Sequence, residues 1–171
     1  MNPKVTGVGI NTFIDTTTRS ISSSAAQTVM SRVKVPGGTY TAGDLIIVNC
    51  LWGKTGTAGI FSHKLWFSPN DPGTSGTTGA TQLWDRGTSA TSQYIDHGRH
   101  LYIKNASGGG SGIELGTELA ATNVGLFSEL RSTTTSNVAI NWTNDVWIFC
   151  TGQLASASDS ISQWYLKIWE Y

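Results

Sequence analysis

Short apolar segments, each soon ended by glycine, proline or a run of serine and threonine, constrain the fold of this chain most strongly. Residues 29–35 alternate apolar and polar side chains with the period of two that marks a half-buried strand. Residues 45–52 are apolar at seven of eight positions, which is typical of a central strand covered on both sides. No segment carries a sustained apolar stripe at the helical period of 3.6 residues. The pattern therefore predicts an all-β fold.

The end of the chain also predicts strands, because residues 146–151 and 161–171 are rich in β-branched and aromatic residues. Residues 68–81 are predicted to form a loop, since proline, glycine and threonine recur through them. Other strands are expected at 61–67, 82–85, 94–95, 100–105, 113–119, 124–130 and 138–142. Short strands in this number, joined by Gly- and Ser-rich turns, are typical of a sandwich or a barrel.

Residues 1–27 differ from the rest of the chain because they contain few apolar residues and several runs of serine and threonine. Such a segment cannot bury enough of its own surface to fold alone. We therefore expect an extended N-terminal arm over residues 1–27 that needs a neighbour, followed by one β-sandwich domain over residues 28–171.

Charge and hydropathy exclude two classes of partner. Lys and Arg total 11, as do Asp and Glu, so no net positive field draws the chain to a phosphate backbone. The first residues lack the apolar core of a signal peptide, and no run approaches the ~20 apolar residues of a membrane helix. We expect no nucleic-acid partner, no membrane insertion, and synthesis in the cytoplasm without secretion.

The sequence lacks the common motifs of catalysis and cofactor binding: a P-loop, a dinucleotide-binding glycine motif, a nucleophile elbow and a His-Glu-x-x-His zinc motif. The remaining candidates are interpreted as exposed loop histidines, exposed carboxylates and buried thiols without a disulfide: His97 and His100, Glu114 and Glu118, Cys50 and Cys150. The sequence thus predicts a protein without catalytic activity, cofactor or metal.

Two segments combine a tight turn with the start of an apolar strand: residues 35–45 (VPGGTYTAGDL) and residues 151–161 (TGQLASASDSI). With the strands that follow, they resemble a β-sandwich domain that is widespread in the virion proteins of tailed bacteriophages. The resemblance covers most of residues 28–171, without the 68–81 loop. It implies a two-sheet antiparallel sandwich of jelly-roll type, homotrimeric assembly and a place on the outer surface of a virion.

Within that group, the length of the chain favours a capsid decoration (cement) protein or a short head-fibre protein. Tail fibres normally carry a long shaft before their tip, whereas only 27 residues precede the predicted domain here. The alternative is a tail-tip or tail-fibre receptor-binding domain that attaches to a host surface glycan. A carbohydrate-active enzyme or an unrelated lectin is a third possibility.

Seven tryptophans exceed what a core of this size requires, and Trp and Tyr are enriched at interfaces. Candidates for self-association or capsid anchoring are apolar residues near the two ends of the chain: Val5, Val8, Ile10, Phe13, Ile14, Trp169 and Tyr171. Candidates for stacking on a sugar ring are Trp84 and Trp142. The expected partners are further copies of the chain, capsid or other virion proteins and, under the alternative, a host glycan.

Overall fold

The computed structural model describes residues 11–22, 26–57, 61–88, 92–107, 112–122, 126–128 and 137–170. These residues form twelve strands and one helical turn: β1 Thr12–Asp15, β2 Arg19–Ser22, β3 Thr28–Val35, β4 Leu45–Thr55, β5 Phe61–Ser68, α1 Pro72–Ser75, β6 Thr81–Thr88, β7 Ser92–Ile103, β8 Gly112–Thr122, β9 Leu126–Ser128, β10 Asn137–Val138, β11 Val146–Leu154 and β12 Ser160–Glu170. The predicted all-β fold is confirmed. Among these residues no helix is long and apolar enough to cross a membrane.

The strands form two antiparallel sheets packed as a sandwich. The larger sheet has the order β1-β12-β4-β7-β8-β10, with β2 also paired to β12 and β9 to β8. The smaller sheet has the order β3-β11-β5-β6. Strand β4 lies inside the larger sheet, as its apolar run predicts.

The strand pairing is nested along the chain. Strands β1 and β2 pair with β12, β3 with β11, β4 with β7, and β5 with β6. A chain paired in this way is one antiparallel ribbon wound around a sandwich, which is the connectivity of a jelly roll. The β4–β12 and β5–β11 pairs complete the two sheets. The predicted jelly-roll type is therefore confirmed.

Alternating side chains of the two sheets form the core between them. The inward residues of β4 are each at most 3% exposed: Ile46, Val48, Cys50 and Trp52. Those of β12 include Ile161, Leu166 and Ile168, all at 0%. Burial of one such apolar side chain contributes about 1.5–3 kcal/mol, so this interior is the main source of stability.

The N-terminal segment corrects the sequence prediction. Strands β1 and β2 both pair with β12, with Phe13 opposite Ile168. Phe13 also packs edge-on against Tyr40, with 6.3 Å between the ring centroids. An arm that needs a neighbour is the wrong description of residues 11–22, because the last strand of the same chain supplies their hydrogen bonds and apolar contacts. Residues 1–10 lie outside the described part of the chain.

Asp15 ties the bend between β1 and β2 to the smaller sheet. Its carboxylate accepts hydrogen bonds from the Arg19 guanidinium (2.5 Å) and from the backbone N–H groups of Thr17 (3.0 Å) and Arg32 (3.2 Å). Burial by itself raises the pKa of Asp15, but these hydrogen bonds outweigh it and lower the pKa below the ordinary 3.8. The carboxylate is therefore a charged link between the two sheets.

Strand β7 also differs from the prediction. The sequence predicted separate strands at residues 94–95 and 100–105, and it predicted His97 and His100 to be exposed loop histidines. Strand β7 is instead continuous from Ser92 to Ile103. Its ladder with β4 runs without a break through Gly98. The two histidines therefore lie in a strand, because the long neighbouring strand holds the glycine in the sheet.

The predicted 68–81 loop contains the helical turn α1. Asp71 caps this turn by accepting a hydrogen bond from the Gly73 N–H at 2.8 Å, and Pro72 begins it. Asp71 also forms an ion pair with Arg32 of β3 at 2.5 Å. The loop is thereby held against the outer side of the smaller sheet.

Candidate functional site

The outer face of the larger sheet carries an exposed apolar and aromatic patch, called the open face here. It is lined by Ile14, Asn49, Tyr165, Lys167 and Trp169, which surround a depression of about 320 Å³. Ile14 is 52% exposed, an unusual fraction for an isoleucine in a paired strand.

Strand β12 builds most of the open face. A bulge between Gln163 and Tyr165 shifts its register, and beyond the bulge Leu166 and Ile168 point into the core. The alternate residues Tyr165, Lys167 and Trp169 therefore face outward.

The neighbouring strands complete the open face. Lys167 lies opposite Ile14 of β1 and Asn49 of β4. Gly98 of β7 lies opposite Asn49, and a side chain there would begin 3.5 Å from the Asn49 amide nitrogen. The glycine thus leaves the space above Asn49 open.

The charges at the open face are held in fixed positions. The Lys167 ammonium lies 4.7 Å from the centre of the Trp169 ring, which is a cation–π contact. The Tyr165 hydroxyl donates a hydrogen bond to Asp96 at 3.2 Å. Burial, together with the charge of Asp96, raises the pKa of Tyr165 above its usual range, so this hydroxyl stays a neutral donor.

The structure brings together only some of the predicted anchoring residues. Ile14 and Trp169 lie on the open face. Phe13 points the other way and packs against the core, so its prediction as a free anchor is wrong because alternate residues of a strand face opposite sides. The remaining four lie outside the described residues: Val5, Val8, Ile10 and Tyr171.

Of the two predicted sugar-stacking residues, the structure describes the side chain of Trp142 alone. Trp142 is only 2% exposed and packs edge-on against Tyr40 and Phe67 at 5.6 and 6.2 Å between ring centroids. Its prediction as a stacking platform is therefore wrong, because both contacts lie in the core. Trp84 belongs to β6, and its side chain is outside the described part of the structure.

A second cluster, buried between the sheets, was not anticipated from the sequence. Cys50 of β4, His63 of β5 and Cys150 of β11 bring their ligand-type atoms within 4.8 Å of one another. The two cysteines are buried and form no disulfide, as predicted. His63 is 0% exposed, and its ring stacks on Trp52 with 4.7 Å between centroids. These three residues could hold a metal ion.

The surroundings of the cluster favour a thiolate. Burial raises the pKa of the Cys150 thiol, but hydrogen bonds with Cys50, His63 and Gln163 and the charge of His63 lower it well below its ordinary value. Gln163 is itself 1% exposed and lies 3.1 Å from His63 Nε2 through its Oε1. The cluster is therefore polar and well connected inside an apolar core.

For Glu114 and Glu118, which were also singled out from the sequence, the structure describes only the strand positions. Glu114 and Glu118 both belong to β8, opposite Leu101 and His97 in the β7–β8 ladder, and their side chains are outside the described part. His100 is opposite Ile47 and partly exposed. Sequence motifs gave no sign of the buried cluster, and the sequence predicted only Ile14 and Trp169 of the open face, since each site depends on strand register.

Comparisons with known proteins add little to this geometry. No family model matches the chain, and no curated protein matches it in sequence. One similar solved structure is the catalytic domain of an endo-1,3-β-glucanase (laminarinase) from Thermotoga petrophila RKU-1. It is 8% identical with a TM-score of 0.35, and the match covers 94% of this chain and 77% of that chain.

Another similar structure is that of the infectious bursal disease virus Gx strain. It is 12% identical with a TM-score of 0.35, and the match covers 99% of this chain. This chain spans only 35% of the viral chain. At this level of similarity neither structure assigns a function to the chain.

Proposed function

We propose that this chain is a non-enzymatic structural protein of a bacteriophage virion, a homotrimeric capsid decoration (cement) or short head-fibre protein on the outer surface of the particle. The open face carries the proposal. It presents Ile14 at 52% exposure beside partly exposed Tyr165 and Trp169. Aromatic and apolar side chains grouped in this way are typical of the centre of a protein–protein interface.

The open face suits association with copies of the same chain. It lies on strands of the framework rather than on long loops, so its shape is fixed before binding and little ordering entropy is lost. The chain carries no net charge, and association is therefore not opposed by long-range repulsion between copies. The N-terminal residues ahead of β1 would then contact the capsid.

The described acidic residues support a role without catalysis. A catalytic acid or base needs a carboxyl group directed at a substrate in a cleft. The described carboxylates instead bind residues of the framework: Asp15 with Arg19, Asp44 with Thr41, Asp71 with Arg32, Asp85 with Lys64, Asp96 with Tyr165, Asp145 with Lys34, Asp159 with Lys54 and Glu170 with Asn11.

The alternative, a tail-tip domain that binds a host glycan, stays a prediction. On the open face, the Lys167 ammonium lies over the Trp169 ring, where a sugar would otherwise stack. A glycan array probed with the purified chain tests this alternative. Specific binding to one glycan class would favour receptor recognition over decoration.

The mass of the purified chain in solution tests assembly. Light scattering at micromolar concentration should give about three times the 18.3 kDa of one chain. Mass spectrometry of particles purified from the phage that encodes the chain should then detect it in the particle fraction. A monomer, or a chain that stays in the cell lysate, would contradict the proposal.

A further inference from the structure

The buried Cys50, His63 and Cys150 cluster has the composition of a metal site. Thiolate sulfur and imidazole nitrogen are the ligands preferred by zinc and other thiophilic ions. We propose that these three side chains bind one Zn²⁺ ion between the two sheets, as a structural site independent of the open face.

The position of the ligands indicates what the ion does. Cys50 comes from the larger sheet, whereas His63 and Cys150 come from β5 and β11 of the smaller sheet. An ion bound by all three would link the two layers of the sandwich directly. Because all three are buried, its coordination would be shielded from water and from competing ligands.

Charge balance favours a dication. Two thiolates left alone in an apolar core carry a large desolvation cost. One Zn²⁺ ion cancels both charges while the imidazole remains neutral, and binding releases protons from the cysteines.

Gln163 and Trp52 orient the histidine. The Gln163 amide nitrogen donates to the Ser31 hydroxyl and lies 3.4 Å from the Tyr165 carbonyl oxygen, which can only accept. The amide oxygen therefore faces His63 Nε2, 3.1 Å away, and accepts its proton. The lone pair of the His63 imidazole, which a metal ion would bind, is then on Nδ1. A metal-binding histidine is commonly held in this way by an acceptor on its other nitrogen.

The distances between the three ligand atoms must shorten slightly when zinc binds. Bonds of 2.3 Å to zinc place tetrahedral sulfur ligands about 3.8 Å apart, and the present separations reach up to 4.8 Å. Small rotations of the cysteine side chains would supply the difference. A tetrahedral ion also takes a fourth ligand besides these three side chains.

Metal analysis of the full chain tests the proposal. The chain is purified without chelator, incubated with zinc, separated from excess ion and analysed by inductively coupled plasma mass spectrometry. We expect one zinc ion per chain. Cys50→Ala and Cys150→Ala should each lower zinc affinity at least about tenfold. Val48→Ala is the matched control, because it truncates the next inward residue of β4 and removes no ligand.

Two further readouts separate a ligand from a merely structural residue. Cobalt in place of zinc should give a sulfur-to-cobalt charge-transfer band of equal strength in the wild type and in Val48→Ala, and a weaker band in Cys150→Ala, where only the Cys50 thiolate remains. A chelator should lower the melting temperature of the wild type and leave that of Cys150→Ala unchanged. Fewer than a tenth of the chains holding zinc, zinc content unchanged in both cysteine variants, or a Cys50–Cys150 disulfide in freshly isolated protein would each overturn the proposal.

Discussion

The outer faces of the two sheets both carry large apolar side chains, but such side chains are buried on the smaller sheet and partly exposed on the larger one. On the smaller sheet, Phe149 is 0% exposed although it points away from the core. It stacks with Trp66, with 6.3 Å between ring centroids. Arg32 lies over the Trp147 ring beside it at 5.6 Å. On the larger sheet, Ile14 and Tyr102 are 52% and 39% exposed.

The outer face of the smaller sheet, called the covered face here, shows how the chain shields an apolar residue within its own fold. Arg32 is held by Asp71 at the start of α1, and Lys64 lies over Trp66 at 5.9 Å. Cations and a capped loop therefore shield the aromatic residues of the smaller sheet. The described residues provide no comparable cover for Ile14, as the proposed self-association surface requires.

The first and largest effect should come from the covered face. Phe149→Ala removes a fully buried ring, so we expect the free energy of unfolding to fall by about 3–5 kcal/mol. The oligomeric state should not change, because no exposed surface is altered. Urea unfolding and light scattering measure the two quantities, with Phe149→Leu as a milder control. Dissociation with little loss of stability would show that the faces have been assigned the wrong way round.

A smaller loss of stability is expected when the Arg32 cation that covers the aromatic residues of the smaller sheet is removed. Arg32→Ala deletes the cation above Trp147 and the partly exposed ion pair with Asp71, so we expect a loss of about 1–2 kcal/mol. Lys34→Ala is the matched control on the same strand, because its exposed pair with Asp145 is worth about 0–1 kcal/mol. If thermal unfolding shows that the two variants lose equal stability, Arg32 does not shield the outer face of the smaller sheet.

The pH dependence of stability tests how the open face is held in place. The folded pKa of Asp15 is lowered from 3.8, so its carboxylate stabilises the fold above that pH, and the contribution is lost as the pH falls through the folded value. The difference in unfolding free energy between wild type and Asp15→Asn should be constant near neutral pH and shrink below 3.8. A difference that does not change with pH would remove Asp15 as the charged link to β1.

The sequence predicted the parts of this fold that depend on local patterns. The apolar run of β4 and the alternation of β12 were enough to place a central strand and a covered terminal strand. Strand β1 was missed because four residues carry little signal by themselves, and their partner lies at the opposite end of the chain. Pairing at such a distance is decided by the whole sheet and not by the segment.

The candidate sites were less predictable for the same reason. The bulge between Gln163 and Tyr165 decides which residues of β12 face outward, and no motif marks it. Cys50, His63 and Cys150 are separated by 13 and 87 positions along the chain. Only the packing of two sheets brings them together, so motif spacing gave no metal signal.

The substitution Ile14→Glu should have the smallest effect on stability and the largest effect on assembly. Ile14→Glu places a carboxylate opposite Lys167 in the β1–β12 ladder, where the new pair offsets the lost apolar contact. We expect a change in unfolding free energy within about 0.5 kcal/mol, as for other surface substitutions. Gln82→Glu is the matched control, because it adds the same group at an exposed position of β6 in the smaller sheet.

Sedimentation equilibrium of the wild type and these two variants tests most directly whether the open face is the self-association surface. We expect a trimer for the wild type and for Gln82→Glu, and a folded monomer of 18.3 kDa for Ile14→Glu. A trimer that survives Ile14→Glu, or a wild type that is itself monomeric at micromolar concentration, would contradict this expectation.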